Sequence, residues 1–270
     1  LIGFIAVAIF SSSEEAIAMF PALFVSHGAP TLPFENVPAR QFLIDLGRDL
    51  PRPRRIVIIS AHWETATPQI TAATRNSTIH DFYGFPKALY DLRYEPPGDP
   101  AAAADLAKHL AAAGFAASLD AVRGLDHGAW VPLMLMYPQA DIPVLQLSIQ
   151  PQLGVAHHLA LGQALRSLRG DTLILASGGY VHNLRALDWH GGAEPDWSAR
   201  FAAAMDEALM VRRDDTLIGY RSQLPESVRA HPSEDHILPL FVAYGAGETT
   251  RRLHASATYG SLRMDAYAFD

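Results

Sequence analysis

The chain has 270 residues, 49% hydrophobic and 18% charged, with 21 basic against 28 acidic side chains for a formal charge of −7. That length buries a sizeable core, the composition excludes a disordered chain, and the acidic balance offers no broad field for gripping nucleic-acid phosphates. With no cysteine and twelve histidines, disulfides, thiolate chemistry, iron–sulfur clusters and cysteine-held zinc are excluded; any metal must be held by imidazole and carboxylate, which suits zinc, iron, manganese or copper better than calcium.

Residues 1–18 stand apart. An apolar run from Leu1 to Phe10, three serines and Glu14-Glu15 lead to Met19. Ten apolar residues are too few to span a bilayer, and no basic residue precedes them, although Ala16-Ile17-Ala18 resembles a signal cleavage site. The segment reads as a non-native or signal-like extension ahead of a single domain over 19–270, and setting it aside gives a cytoplasmic protein with no membrane partner.

From Met19 onward, short apolar runs alternate with segments of helical period. Ala22–Ser26, Arg55–Ser60, Pro143–Ile149 and Thr172–Ser177 read as buried strands. Val37–Leu50, Pro100–Ala113, Trp130–Tyr137 and Leu153–Leu168 read as helices, the second stopped by Gly114 at its C′ position. Two more helices, near Trp197–Val211 and Asp235–Tyr244, precede a terminal strand pair around Arg251–Tyr259 and Leu262–Phe269. The alternation predicts an α/β fold of three layers, α/β/α, around a central sheet that is largely parallel or mixed.

The chemical signal is where the histidines fall. His27, His62 and His182 each follow the carboxyl end of a different predicted strand, the edge of an open α/β sheet where ligands bind. One such histidine is ordinarily a hydrogen-bonded loop residue; three with the same placement point to a site. His236 is a further candidate ligand: Ser233 reads as an N-cap with Glu234 and Asp235 in the first turn, and the positive end of the helix dipole there favours the neutral imidazole that a metal requires. Taken alone, that pattern is also an ordinary capped surface helix. His231, five residues earlier, reads as a loop residue. His127 sits in a glycine-containing turn, Asp126-His127-Gly128, which either presents a side chain to a pocket or simply turns. The adjacent His157 and His158 do not face one metal together, and His80, His109, His190 and His254 show no convergent placement. No dinucleotide-binding glycine pattern, P-loop, H-E-x-x-H or G-x-S-x-G motif occurs.

Six short motifs occur in register: Ser26-His27-Gly28-Ala29-Pro30, Ser60-Ala61-His62-Trp63, Ile79-His80-Asp81-Phe82-Tyr83-Gly84-Phe85-Pro86, Leu125-Asp126-His127-Gly128-Ala129-Trp130, Ser177-Gly178 through Val181-His182-Asn183-Leu184, and His236 through Pro239-Leu240. Together they resemble the class III extradiol ring-cleavage dioxygenases, most closely the 4,5-DOPA extradiol dioxygenases, from about Pro21 to the C-terminus. The resemblance implies that His27, His62 and His236 hold one divalent metal, that His182 is the acid and base beside it and a further ligand in resting members, and that His127 lines the substrate pocket as a second catalytic residue. In better-known relatives the third ligand is a glutamate; here that position is His236, with Glu234 and Asp235 as neighbours.

The implied cofactor is iron(II) for activity, with zinc able to occupy the same ligands, and the implied partners are a small aromatic diol and O2, acted on by a monomer or homodimer. The expected reaction inserts O2 beside the hydroxyl-bearing carbons of a catechol such as DOPA to give a muconic semialdehyde. His80, Tyr83 and Tyr180 are the expected pocket wall, and the proline-rich segment Tyr94–Pro100 is the candidate dimer contact. A zinc-dependent hydrolase and a non-enzymatic ligand- or partner-binding protein of the same fold are the alternatives.

Overall fold

Four apolar strands pair in parallel at the centre of the molecule. The structure is a computed structural model that describes residues 19–270, so the reading of residues 1–18 lies outside the described residues. In chain order the strands are β1 (Ala22–Ser26), β2 (Arg55–Glu64), β3 (Gln69–Thr71), β4 (Ser118–Asp120), β5 (Val144–Ile149), β6 (Thr172–Gly178), β7 (Thr250–His254), β8 (Ala257–Thr258), β9 (Leu262–Arg263) and β10 (Ala266–Phe269). Eight of them form one mixed sheet in the order β4-β3-β5-β2-β6-β1-β10-β7, and β8 and β9 make a separate ribbon. The inner quartet β5-β2-β6-β1 is parallel, whereas β3 joins β5, β10 joins β1 and β7 joins β10 antiparallel.

The helices are α1 (Pro38–Asp49), the single turn α2 (Lys87–Tyr90), α3 (Pro100–Ala112), α4 (His127–Met136), α5 (Gly154–Leu165), α6 (Asp196–Met210), the short α7 (Asp214–Ile218), α8 (Tyr220–Gln223) and α9 (Ser227–Ala230), and α10 (Leu238–Ala246). Side chains alternate across the sheet. Phe24, Val57, Leu145 and Ile174 pack under α3, α5, α6 and α10, and Val25, Ile56, Val144 and Leu175 pack under α1 and α4. Burial on both faces is why the central strands are continuous apolar runs. Among the described residues no helix is long and apolar enough to cross a membrane.

The expected three-layer α/β fold is therefore present, with differences at several elements. Strands β3 and β4 have three residues each, and β4 is largely exposed, so neither leaves an apolar run. Strand β2 continues past Ser60 to Glu64; its regular pairing with β5 ends at Ile59 and resumes only at Glu64, and this irregularity contains His62. Helix α3 ends as expected, with Gly114 at φ +91° beyond it. Helix α4 begins three residues before the expected Trp130, capped by the Asp126 side chain.

Helix α10 begins at Leu238 rather than Asp235, so Ser233 caps nothing and His236 precedes the helix. The His236 carbonyl accepts the Gly179 N–H (2.9 Å) and is thereby withdrawn from the helical ladder. The terminal strand pair is interrupted by the β8–β9 ribbon. The segment Tyr94–Pro100 is built into the chain's own fold: buried Tyr94 donates its hydroxyl to Tyr137 O, and Pro97 O accepts the Val144 N–H.

Candidate functional site

Between β1 and β2 the chain skips a place in the sheet, filled only later by β6, so β2, β6 and β1 lie side by side with their carboxyl ends together. Such a switch point is the usual ligand crevice of an open α/β sheet. His27 follows β1, His62 lies in the irregular end of β2, and the loop after β6 carries His182. The Gly179 N–H, also beyond β6, holds the His236 backbone, which adds the fourth histidine.

The Nε2 atoms of His27 and His62 are 3.1 Å apart, and those of His62 and His236 are 3.3 Å apart. Each ring has an acceptor behind it. Ser177 donates its hydroxyl proton to Gly128 O at 2.5 Å, so its oxygen accepts from His27 Nδ1–H at 3.0 Å. Asp235 accepts from His236 Nδ1–H, and an Asp81 carboxylate oxygen lies 3.4 Å from His62 Nδ1. The hydrogen bonds at Nδ1 of His27 and His236 select the tautomer whose Nε2 is a bare lone pair, and the Asp81 carboxylate near His62 Nδ1 favours the same form there.

Burial, reinforced by the neighbouring imidazoles, holds the pKa of His27 and of His236 well below the ordinary value, and burial together with His127 lowers that of His62 to about 4. Rings kept neutral by burial can each offer a nitrogen lone pair to one cation. Two nitrogens each about 2.1 Å from one ion and separated by 90–110° at it are about 3.0–3.4 Å apart. The donor set fits a divalent ion of the iron or zinc type.

The surrounding residues explain the placement. Asp126 caps α4 and is fully buried, accepting from Ser60 Oγ (2.6 Å), Gln146 Nε2 (2.5 Å) and Arg123 Nη2 (3.1 Å). Ser60 in turn accepts the His62 N–H (3.2 Å), and Arg123 also reaches His62 O. Pro132 lies inside α4 and has no N–H for the carbonyl four residues back, which is that of Gly128. That freed carbonyl is the one that takes the Ser177 hydroxyl. A Cβ on Gly128 would lie 2.4 Å from Ser60 Oγ and 2.8 Å from His62 Cδ2, so only glycine lets α4 approach the rings.

His127, at the start of α4, donates both its backbone N–H and Nδ1–H to Asp81 Oδ1, each at 2.9 Å. Burial pushes the Asp81 carboxyl up, but the His127 hydrogen bonds outweigh it and hold it at about 2. Asp81 thus orients His127 and His62 together. The His182 ring lies parallel on His236, with centroids 3.4 Å apart and planes 6° apart, and burial lowers its pKa to about 4. A donor atom of His182 groups with those of Asp235 and His236 rather than with the Nε2 trio.

A cavity of about 330 Å³ opens beside these groups, lined by all five histidines and by Phe82, Phe85, Leu187 and Trp189 among others. The expected wall residues lie elsewhere. Tyr83 is 91% exposed; His80 sits among Phe82, Tyr90 and Trp130 and pairs with Leu92 O; Tyr180 is buried in the core, where its hydroxyl accepts from Tyr267. His231 is the loop residue expected, just beyond α9, and it is fully buried, with its Nε2 paired to Tyr180 O. The histidines of the site were legible in the sequence. The roles of Asp81, Asp126, Ser60, Ser177 and Pro132 were not; Asp81 and Asp126 were visible only as acids beside His80 and His127.

Residues 22–268 match the family described as the catalytic LigB subunit of aromatic ring-opening dioxygenase. The chain is 40% identical over 254 residues to a protein of Beta vulgaris named 4,5-DOPA dioxygenase extradiol, covering 91% of this chain and 95% of the relative. Proteins of the same name from Portulaca grandiflora and Escherichia coli are 38% and 40% identical, covering 94% and 84% of this chain and 97% and 84% of the relatives. The crystal structure of an uncharacterized Escherichia coli K12 protein superposes with a TM-score of 0.76 at 33% identity, over 93% of this chain and all of that one. With its histidine-lined crevice at the sheet's switch point and this match over nearly all the described residues, the chain belongs to the LigB family of aromatic ring-opening dioxygenases.

Proposed function

We propose that His27, His62 and His236 hold a single divalent ion through Nε2, that His182 and His127 handle the protons of a catechol substrate, and that the substrate is of the DOPA type, ring-opened to a muconic semialdehyde. Iron(II) bound by these three imidazoles would let a catechol and dioxygen exchange electrons at one centre, whereas zinc, without redox chemistry, would fill the site and leave the ring intact. The observation that carries this reading is the convergence of three Nε2 atoms in the lining of the cavity, with Nδ1 of His27 and His236 hydrogen-bonded to acceptors and that of His62 beside the Asp81 carboxylate. The relatives named 4,5-DOPA dioxygenase extradiol support DOPA as a substrate.

The chain's residues have distinct work in this reading. His182 is held neutral near pH 7 by burial, so a ring nitrogen is free to take the proton of a catechol hydroxyl and return it later. His127 gives Nδ1–H to Asp81 and keeps Nε2 for a hydrogen bond with the substrate. Asp81 fixes the orientation of His127 and His62 together, so that substrate contact and ligand contact stay in register. The apolar walls exclude water from the ring and hold it against the histidines.

The test is oxygen uptake with parallel absorbance scans on apo-protein reconstituted anaerobically with iron(II) or zinc and given L-DOPA or catechol. Stoichiometric uptake and a yellow product with iron alone, both abolished in His182→Ala, are expected. No uptake with any catechol despite confirmed iron loading would overturn the reading.

A further inference from the structure

The turn after β6 and the segment that follows α9 are laced together by four hydrogen bonds. The Gly179 N–H donates to His236 O (2.9 Å), His231 Nε2 pairs with Tyr180 O (3.0 Å), the His182 N–H donates to Ala230 O (3.0 Å) and Asn183 Nδ2 donates to Arg229 O (2.7 Å). The two segments run antiparallel: residues 179 to 183 of one meet residues 236 back to 229 of the other. One segment delivers His182 and the other His236, and their rings lie parallel with centroids 3.4 Å apart. That stack therefore depends on the register between two loops, and a slip of one against the other separates the rings.

Of the four links, the one from His231 is made by a fully buried side chain, whereas two others use backbone N–H groups that most residues would supply. His231 does not line the cavity. Burial lowers its pKa to about 3, so the ring is neutral with a single N–H. A carbonyl oxygen can only accept, so that N–H is at Nε2 and is given to Tyr180 O. Nδ1 is left buried and without a hydrogen-bond partner among the described residues. An unpartnered buried nitrogen costs free energy that a phenylalanine ring would not. Packing beside Phe201 and Tyr220 thus gives no reason for an imidazole here, and the bond to Tyr180 does. Tyr180 is a firm anchor, since its N–H donates to Ser26 Oγ and its hydroxyl accepts from Tyr267. Pro232 restricts His231 from the other side, favouring the extended backbone it adopts, φ −131° and ψ 86°.

We propose that His231 is a positioning residue: through Tyr180 O it sets the register of the two loops and so holds the His182 ring in place against His236. It touches neither substrate nor metal. This rests on the preceding reading of His182 as the group that handles the substrate's proton.

The experiment compares His231→Phe, which keeps a ring and removes the donor, with His231→Gln, whose amide nitrogen reaches about as far as Nε2, and His231→Asn, whose amide falls short of it. Oxygen uptake with L-DOPA by the iron-loaded proteins gives kcat and KM, and metal analysis gives loading. Histidine-ring NMR of the zinc-loaded proteins reads the stack independently of turnover, with the shifted ring signals assigned by their loss in His182→Ala. The Phe and Asn variants are expected to bind near-stoichiometric metal, to lose kcat by about 100-fold, the size a small misplacement of a reacting group produces, to keep KM within about 3-fold, and to lose the ring-current shifts of stacked imidazoles. The Gln variant should recover kcat to within a few-fold and keep those shifts. If His231→Phe does not fold, the Gln and Asn pair carries the same comparison. Wild-type kcat and ring shifts in the Phe or Asn variant, or a Gln variant as impaired as Asn, overturns the proposal. Absence of oxygen uptake by the wild type with every catechol instead overturns the ring-opening reading, and the NMR comparison still decides whether His231 holds the stack.

Discussion

Two groups of histidines lie near the carboxyl edge of the same sheet, and they differ in how their ring nitrogens are used. Beyond β5, His158 is buried and its pKa is lowered to about 4, as for His62 at the end of β2. His158 donates Nδ1–H to Gly154 O at 2.6 Å and accepts the Gln150 N–H at Nε2 at 3.2 Å, so both nitrogens are consumed by the fold. Its neighbour His157 pairs with Gln150 Oε1. In the other cluster only the Nδ1 side of each ring is claimed, and the Nε2 atoms of His27, His62 and His236 face one another. Burial and a lowered pKa are common to both clusters. An unclaimed lone pair aimed at a cavity separates a ligand from a core histidine, because it costs free energy until a ligand meets it.

The comparison is broken most severely by removing a member of the trio. His236→Ala is expected to lose stoichiometric iron and zinc, with oxygen uptake falling below detection, whereas His158→Ala should retain near-equimolar metal and lose stability; metal analysis after dialysis and thermal melts distinguish the two. Gly128→Ala comes next, since its Cβ would lie 2.8 Å from His62 Cδ2. Competition with a chelator should show metal affinity reduced by at least about 100-fold, beyond what loss of an outer partner alone produces.

Removing only the acceptors behind the rings sharpens the comparison. Ser177→Ala and Asp81→Asn leave all three ligands in place and should weaken metal by about 10- to 100-fold. Asp81→Asn should carry the larger kcat loss, because it also releases His127. A Ser177→Ala affinity equal to wild type would show that the His27 tautomer is set elsewhere. Pro132→Ala restores an N–H that competes with Ser177 for Gly128 O, and a loss of metal affinity of only a few-fold is expected, with no loss of thermal stability since an interior proline is itself unfavourable.

A separate effect, on stability rather than on metal, is pH-dependent and belongs to His158. Its folded-state pKa of about 4 lies below the unfolded value near 6.5, so the unfolded chain takes up the proton first as pH falls. Its neutral burial therefore contributes fully above pH 6.5 and is lost between there and about pH 4, by about 1.4 kcal/mol per pH unit. Urea melts of the metal-free protein at pH 7 and pH 5 should show a drop that is shallower in His158→Gln. An identical drop in both would assign the pH dependence to other groups.

What was legible follows from how each feature is encoded. The inner strands were readable because both faces are buried, which leaves runs such as Ile56–Ile59 with no polar interruption. Strands β3 and β4 were not, since three residues paired at an edge need no apolar pattern. Ser233-Glu234-Asp235 has the composition of a capped helix start, but the Gly179 N–H claims the His236 carbonyl and the helix begins two residues later. Tyr83 and Tyr180 carry the aromatic character of a pocket wall, and burial sent one to solvent and the other to the core.

The amino-acid sequence by itself determined the α/β class, the absence of cysteine chemistry and the placement of histidines at strand ends, because strand periodicity and residue type are local properties. Which of twelve histidines converge, and which nitrogen each presents, was decided only in three dimensions. Those choices depend on partners far away along the chain: Ser177 behind His27, Asp81 behind His62, and Pro132 freeing the carbonyl that orients Ser177. A tautomer is set by the hydrogen bond at the opposite ring nitrogen, and that bond exists only once β6, α4 and the loop carrying Asp81 have packed around the end of β2.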